Sequence, residues 1–146
     1  MTLPELEDQI TVMMGGQAAE ESIYHGVIST GAGDDLQRAS ELIRQMVMRF
    51  GMSDRLGHLT YGPPQTVQFL RFPFAPEGRN YSEKTSEAID AEVRRISDDL
   101  YLRARTILTR RRIELELIAF ELTQKETLDR HQIDLVLAPF LEQIPA

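Results

Sequence analysis

Apolar residues recur along this chain in steps of three and four almost from end to end, the spacing of one face of an α-helix. Leu6, Ile10, Met13 and Met14 open the pattern. Thr2 and Glu5 stand before it at capping-box spacing, and Pro4 falls near the first helical position, so a helix is expected from about Leu3. It should run to about Tyr24, with Gly26 supplying the exit turn. Gly15-Gly16 sits in its middle, where each glycine costs about 1 kcal/mol relative to alanine. The pair either breaks the helix in two or marks a face against which a neighbour packs closely, and the following Ala18-Ala19 favours close approach. Leu36, Ala39, Ile43, Met46, Val47 and Phe50 form a second stripe that begins near Gly33, with Gly51 placed to cap its end. Met52-Ser53-Asp54 and Leu56 to Tyr61 read as a turn and a short extended piece, with at most one short strand around Leu59.

The pattern changes between residues 62 and 80. Gly62, Pro63, Pro64, Pro73, Pro76 and Gly78 forbid a long helix there. Phe69, Leu70, Phe72 and Phe74 make this loop sticky, so that it either tucks onto its own domain or meets a partner. Ser82 then caps a long helix whose stripe runs Ile89, Val93, Ile96, Leu100, Ala104, Ile107 and Leu108, to about Thr109. A further run, Ile113, Leu117, Phe120 and Leu122, either continues that helix with a shifted stripe or returns as a hairpin turning near Thr109. Asp129 and Gln132 form a last capping pair, and Ile133, Val136 and Leu137 a short helix ending before Pro139. The expected fold is mostly α, a helical bundle in a single domain spanning 1–146, with helices over 1–61, a Pro-rich connection over 62–81 and a second group of helices over 82–146.

Composition narrows the function. A chain of 146 residues that is 42% hydrophobic and 27% charged is a globular domain rather than a disordered segment. The apolar runs are too short for a membrane span, so this segment is not expected to touch a bilayer. There is no cysteine, hence no disulfide or thiol chemistry. A net charge of −7 argues against nucleic acid as a partner. Arg110-Arg111-Arg112 is followed at once by Glu114 and Glu116 and reads as a locally compensated helix turn.

The chemistry concentrates in two stretches, Gly15-Gly16-Gln17-Ala18-Ala19-Glu20-Glu21 and Ser29-Thr30-Gly31-Ala32-Gly33-Asp34-Asp35-Leu36. In the second, a Gly-rich turn delivers two carboxylates to a helix start. Taken alone, such carboxylates stabilise the free amides and the positive end of the helix dipole. A phosphate site is excluded, because no Lys-Ser/Thr follows and the carboxylates occupy the anion's place. The histidines, His25, His58 and His131, have no partner at helical spacing, and none reads as a metal ligand.

These stretches resemble the protease domain of the membrane-bound, ATP-dependent zinc metalloproteases of the FtsH family, peptidase family M41. The family pattern Ser/Thr-Thr-Gly-Ala-x-Asn/Asp-Asp-Leu/Ile matches from Ser29 to Leu36. Its Gly-Gly-Arg-Ala-Ala-Glu-Glu matches from Gly15 to Glu21, with Gln17 in place of Arg. The Phe-Gly-Met-Ser turn falls on Phe50 to Ser53, and Leu-Gly-Pro-Leu on Leu56 to Leu59 with His58 in place of Pro. The start of the family's long helix falls on Asn80-Tyr81-Ser82-Glu83, its Ile-Asp-x-Glu-Val on Ile89 to Val93, and the start of its last helix on Lys125 to Asp129. The resemblance covers nearly all of residues 2–138.

The resemblance implies the FtsH protease-domain type of bundle. It implies that Asp35 is the third protein ligand of a catalytic Zn²⁺ and that Asp34 is the helix cap. Glu20 is either an exposed helix carboxylate or an acceptor for a zinc-bound histidine. The family's His-Glu-x-x-His helix, which carries two zinc ligands and the general base, does not occur in this sequence, so no catalytic residue is assigned and the chain is expected to be inactive alone. For a complete protein the resemblance implies ATP and Mg²⁺ on a separate domain, a homo-hexameric ring, unfolded protein substrates, and a membrane anchor with this domain on the cytoplasmic side. The alternative is a degenerate FtsH-like homologue serving as a non-enzymatic helical oligomerisation module; the residues preceding Met1 would separate the two.

Overall fold

The computed structural model describes residues 1–24, 30–53, 55–57, 59–61 and 81–141. They form five α-helices: α1 Leu3–Ile23, α2 Gly33–Met48, α3 Glu83–Arg110, α4 Arg112–Lys125 and α5 Arg130–Leu141, with a 3-10 turn Thr30–Ala32 leading into α2. The mostly α expectation holds. The strand considered near Leu59 is not formed among the described residues; Ser53 and Gly57 make an isolated antiparallel bridge instead. His25, Gly26, Ser29, Asp54, His58 and the Pro-rich segment 62–80 lie outside the described residues.

The helix starts are written in local chemistry. Thr2 and Glu5 close a reciprocal capping box, the Glu5 Oε2 accepting from the Thr2 N–H at 2.7 Å and Thr2 Oγ1 from the Glu5 N–H at 3.4 Å. Ser82 Oγ accepts from the Thr85 N–H at 3.2 Å. Asp129 and Gln132 exchange bonds of 2.8 and 2.9 Å at the entrance to α5. α2 ends at Met48, three residues earlier than a cap at Gly51 would place it; Gly51, at φ 59°, lies in the turn that follows, where a left-handed residue is cheapest without a Cβ.

The core is shared by α1, α2 and α3. Leu6, Ile10, Met14 and Ala18 from α1 meet Ala39, Ile43, Met46 and Val47 from α2, and Ile89, Ile96, Leu100 and Ala104 from α3. Near the two ends of α1, Asp8 and Glu21 reach Arg103 and Tyr101, which are neighbours on α3. Those α1 positions lie about 20 Å apart along the axis at 1.5 Å per residue. These contacts tie α1 to α3 over most of its length, and Arg112, just beyond α3, reaches Ser22 near the end of α1. Ala18 and Ala104 are both buried in this core.

Several expectations are settled or corrected. The Gly15-Gly16 pair does not break α1, and a Cβ on Gly15 would meet nothing within 4 Å. Ala18, in the same stretch, is completely buried. Phe50 falls beyond the end of α2 and is 52% exposed, so the second stripe ends at Val47. The α3–α4 question resolves as a break at one residue, Arg111, with φ −113° and ψ 32°. The fourth helix packs on α5 instead of folding back along α3. Its outward residues are the ones the spacing had picked: Ile113 and Phe120 are exposed, while Leu115 and Ile118 face a cleft toward α5. The last helix also continues through Pro139 to Leu141 rather than stopping before it.

One buried charge ties the turn after α2 to α3. Glu92 is 1% exposed. Its Oε1 accepts from Ser53 Oγ at 2.9 Å and from Arg95 Nη2 at 2.6 Å, and its Oε2 from Arg95 Nε at 3.0 Å, with Arg55 Nε at 3.7 Å. The Arg95 hydrogen bonds, then that of Ser53 and the two positive charges, outweigh burial and hold the Glu92 carboxyl below its ordinary value. Its contribution to stability is complete above pH 4.5 and is lost as the pH falls through the depressed value. Glu92→Ala should destabilise by about 1–3 kcal/mol, discounted because Arg95 is partly exposed. Glu92→Gln should flatten the acid limb of a pH–stability curve, and an unchanged acid limb would show that the carboxylate is not ionised in the fold.

Candidate functional site

The short link between α1 and α2 brings the end of one helix to the start of the next, and α1 touches the 3-10 turn Thr30–Ala32 as well as α2. The two sequence stretches singled out above therefore occupy one end of the core. α2 begins at Gly33, which puts Asp34 and Asp35 second and third in its first turn. Their charges face the positive end of the helix dipole. Leu36 packs against the core and Ala39 is buried in it, so the turn carrying the carboxylates is anchored from the next residue onward.

Both carboxylates are exposed, but they face different ways. Asp34 shares a shallow polar depression with Gln37, Arg38 and Glu41, the outward row of α2. Asp35 is one helical step round, on the row of Ala39 and Leu42 that borders the core. An exposed carboxylate on a rigid helix start fits the part of a single oxygen ligand to Zn²⁺. The described residues do not complete such a site: no group of three His, Cys, Asp or Glu side chains among them is placed to hold a metal ion. His131 lies exposed at the start of α5.

On the α1 side, Glu20 is half-buried and has a partner within the fold. Its neighbour Glu21 accepts a hydrogen bond from the Tyr101 hydroxyl of α3. Sequence reasoning missed this pair, whose members are 80 residues apart. Tyr101 falls between core positions Leu100 and Ala104 in the long stripe, so periodicity gave it no special standing. Gln17, where the FtsH family pattern has Arg, keeps a buried Oε1 with no hydrogen bond among the described residues. A long Arg could carry its charge out to solvent from there, whereas the shorter amide leaves an acceptor inside.

Burial, the hydrogen bond to Glu21 and that carboxylate's charge together push the Tyr101 phenol from 10.0 up to about 12. The fold favours the neutral phenol. The stability this contributes is full below pH 10.0 and is lost as the pH rises toward about 12. In an alkaline spectrophotometric titration, one of the four tyrosines should ionise late, near pH 12, and Tyr101→Phe should remove that phase. A late phase that survives the substitution would place the perturbed phenol elsewhere.

Comparison with known proteins gives the family. The model of peptidase family M41 matches residues 1–136, and the chain belongs to that family. It is 49% identical over 133 residues to the ATP-dependent zinc metalloprotease FtsH of Bacillus subtilis (strain 168), a match covering 90% of this chain and 21% of that protein. It is 46% identical over 133 residues to the ATP-dependent zinc metalloprotease FtsH 1 of Thermomicrobium roseum, covering 91% of this chain and 20% of that protein. It is 43% identical over 136 residues to the ATP-dependent zinc metalloprotease FtsH of Methylococcus capsulatus, covering 93% and 21%. The chain thus spans about a fifth of the length of the curated relatives it matches. No described helix is long and apolar enough to cross a membrane.

Proposed function

We propose that this chain is the part of an ATP-dependent zinc metalloendopeptidase that supplies the third zinc ligand, Asp35, and the scaffold beneath the site. The observation that carries the reading is the family match over residues 1–136, together with an exposed Asp35 in the anchored first turn of α2. Two histidine ligands and the general-base glutamate belong to a His-Glu-x-x-His helix, which these 146 residues do not contain. The chain is therefore inactive by itself. Bound zinc supplies Lewis-acid activation for peptide hydrolysis; Asp35 holds it, Asp34 stabilises the helix start, and Glu20 accepts from a zinc-bound histidine. Residues 1–61 lie nearest the site, 62–81 connect, and 82–146 support. In the full-length protein, ATP and Mg²⁺ act on a separate domain, six copies form a ring, and unfolded membrane and soluble proteins are the substrates. A membrane anchor outside this segment places the domain on the cytoplasmic side.

Asp35→Asn in the full-length protein should lower proteolysis by about 100-fold or more and reduce bound zinc, with the helical circular dichroism unchanged. Asparagine keeps the size and a hydrogen-bond acceptor, so a residue that only stabilised the helix start would tolerate the change. Asp34→Asn should stay within about twofold of native. Native activity and native zinc in both variants would leave Asp35 as a helix-start residue only. Zinc-independent assembly without proteolysis in the native full-length protein would favour the degenerate homologue.

A further inference from the structure

The end of α1 is built against its own dipole. Glu20 and Glu21 stand in its last turns, where the negative end of the helix disfavours carboxylates, and no basic residue of α1 compensates there. Compensation comes from two other helices. From α3, the Tyr101 hydroxyl donates to the Glu21 carboxylate. From the start of α4, Arg112 Nη1 donates to the Ser22 carbonyl at 3.3 Å and lies 3.4 Å from its hydroxyl. Glu116 in turn steadies that guanidinium, its Oε1 accepting from Arg112 Nε at 2.9 Å. Arg112 is thus the cation that the α1 terminus lacks, delivered from 90 residues away.

We propose that Tyr101 and Arg112 are positioning residues, which hold the acidic end of α1 beside the turn Thr30–Ala32 and so fix the frame on which Glu20 and Asp35 stand. The proposal rests on the zinc-ligand reading of Asp35. Helix ends fray unless tied down, and α1 contacts the turn that leads directly into the Asp34-Asp35 pair. The choice of a phenol is chemically apt. Tyr101 donates a hydrogen bond to Glu21 without cancelling its charge, as Lys would, so the negative potential at this end of the core survives while the side chain is immobilised. The phenol stays protonated throughout the physiological range, so the donor is never lost. Arg112, more exposed, acts on the backbone carbonyl and contributes the smaller share.

The test uses the full-length protein with Tyr101→Phe, Glu21→Gln, Glu21→Ala and Arg112→Gln, and Asp35→Asn as reference. Three readouts are taken: kcat and KM on a short peptide, the rate of zinc loss to a chelator, and amide hydrogen exchange over the last turn of α1. Tyr101→Phe keeps the ring and removes only the donor. It should lower kcat about tenfold with KM within about twofold, speed zinc loss about tenfold, and deprotect the end of α1. Arg112→Gln should do the same more weakly. Glu21→Gln, which still accepts from Tyr101, should retain most of what Glu21→Ala loses. Native kcat, zinc loss and exchange in Tyr101→Phe would overturn the proposal, as would equal effects of the two Glu21 variants. If Tyr101→Phe fails to fold, the Glu21 pair decides by itself. An impaired Asp35→Asn beside a native Tyr101→Phe refutes positioning while leaving the zinc reading intact. A native Asp35→Asn refutes the zinc reading itself, and with it the catalytic consequence proposed for Tyr101 and Arg112.

Discussion

The packing of α1 on α3 holds the rest of this structure in place. It buries the small residues Ala18 and Ala104 together with the larger apolar side chains of both helices, and it is tied by Asp8 with Arg103 at 2.6 Å and by Glu21 with Tyr101. The connection from α1 to α2 is short, and α1 touches the 3-10 turn that opens α2. That brings the acidic end of α1 and the acidic start of α2 to the same end of the core.

Buried polar chemistry then fixes what apolar packing leaves free. Hydrophobic contact among Ile10, Ile43 and Ile96 is non-directional and sets no register for the turn that follows α2. Glu92 of α3 does, because its Oε1 accepts from Ser53 on that turn while Arg95 holds both carboxylate oxygens in place. Tyr61 adds a second tie, donating to the Leu56 carbonyl at 3.0 Å and meeting Tyr81 edge-on at 5.8 Å between ring centres. The α4–α5 pair stands apart from this core. It buries no residue of α4 and leaves Ile113 and Phe120 exposed, with a cleft of about 330 Å³ beside Leu115, Leu137 and Phe140.

Much of the fold was legible in the sequence, and the exceptions have physical causes. Thr2 with Glu5, Ser82 at the start of α3, and Asp129 with Gln132 are local signals, complete within four residues, and each forms as read. The stripes of α2 and α3 were legible because those helices are polar on their other face. α4 was not, since Ile113, Leu117 and Phe120 on one side compete with Leu115 and Ile118 on the other, and only the tertiary contact with α5 decides between them. Gly15 suggested close approach where Ala18 is the buried residue, because sequence alone cannot say which side of α1 meets its neighbours. As to the site, the assignment of Asp35 and Glu20 comes from the order of family motifs and not from periodicity, which gives an acidic helix start the duller meaning of dipole compensation. Tyr101 and Arg112 carried no signal at all. Their partners are 80 and 90 residues away and become neighbours only through tertiary packing.

If the first turn of α2 presents Asp35 to a metal, as we propose, anomalous diffraction at the zinc edge from crystals of the full-length protein will show it. A single strong peak is expected about 2.0–2.2 Å from an Asp35 carboxylate oxygen, with two imidazole nitrogens completing the protein ligands. A zinc peak whose protein ligands do not include Asp35 would contradict the proposal.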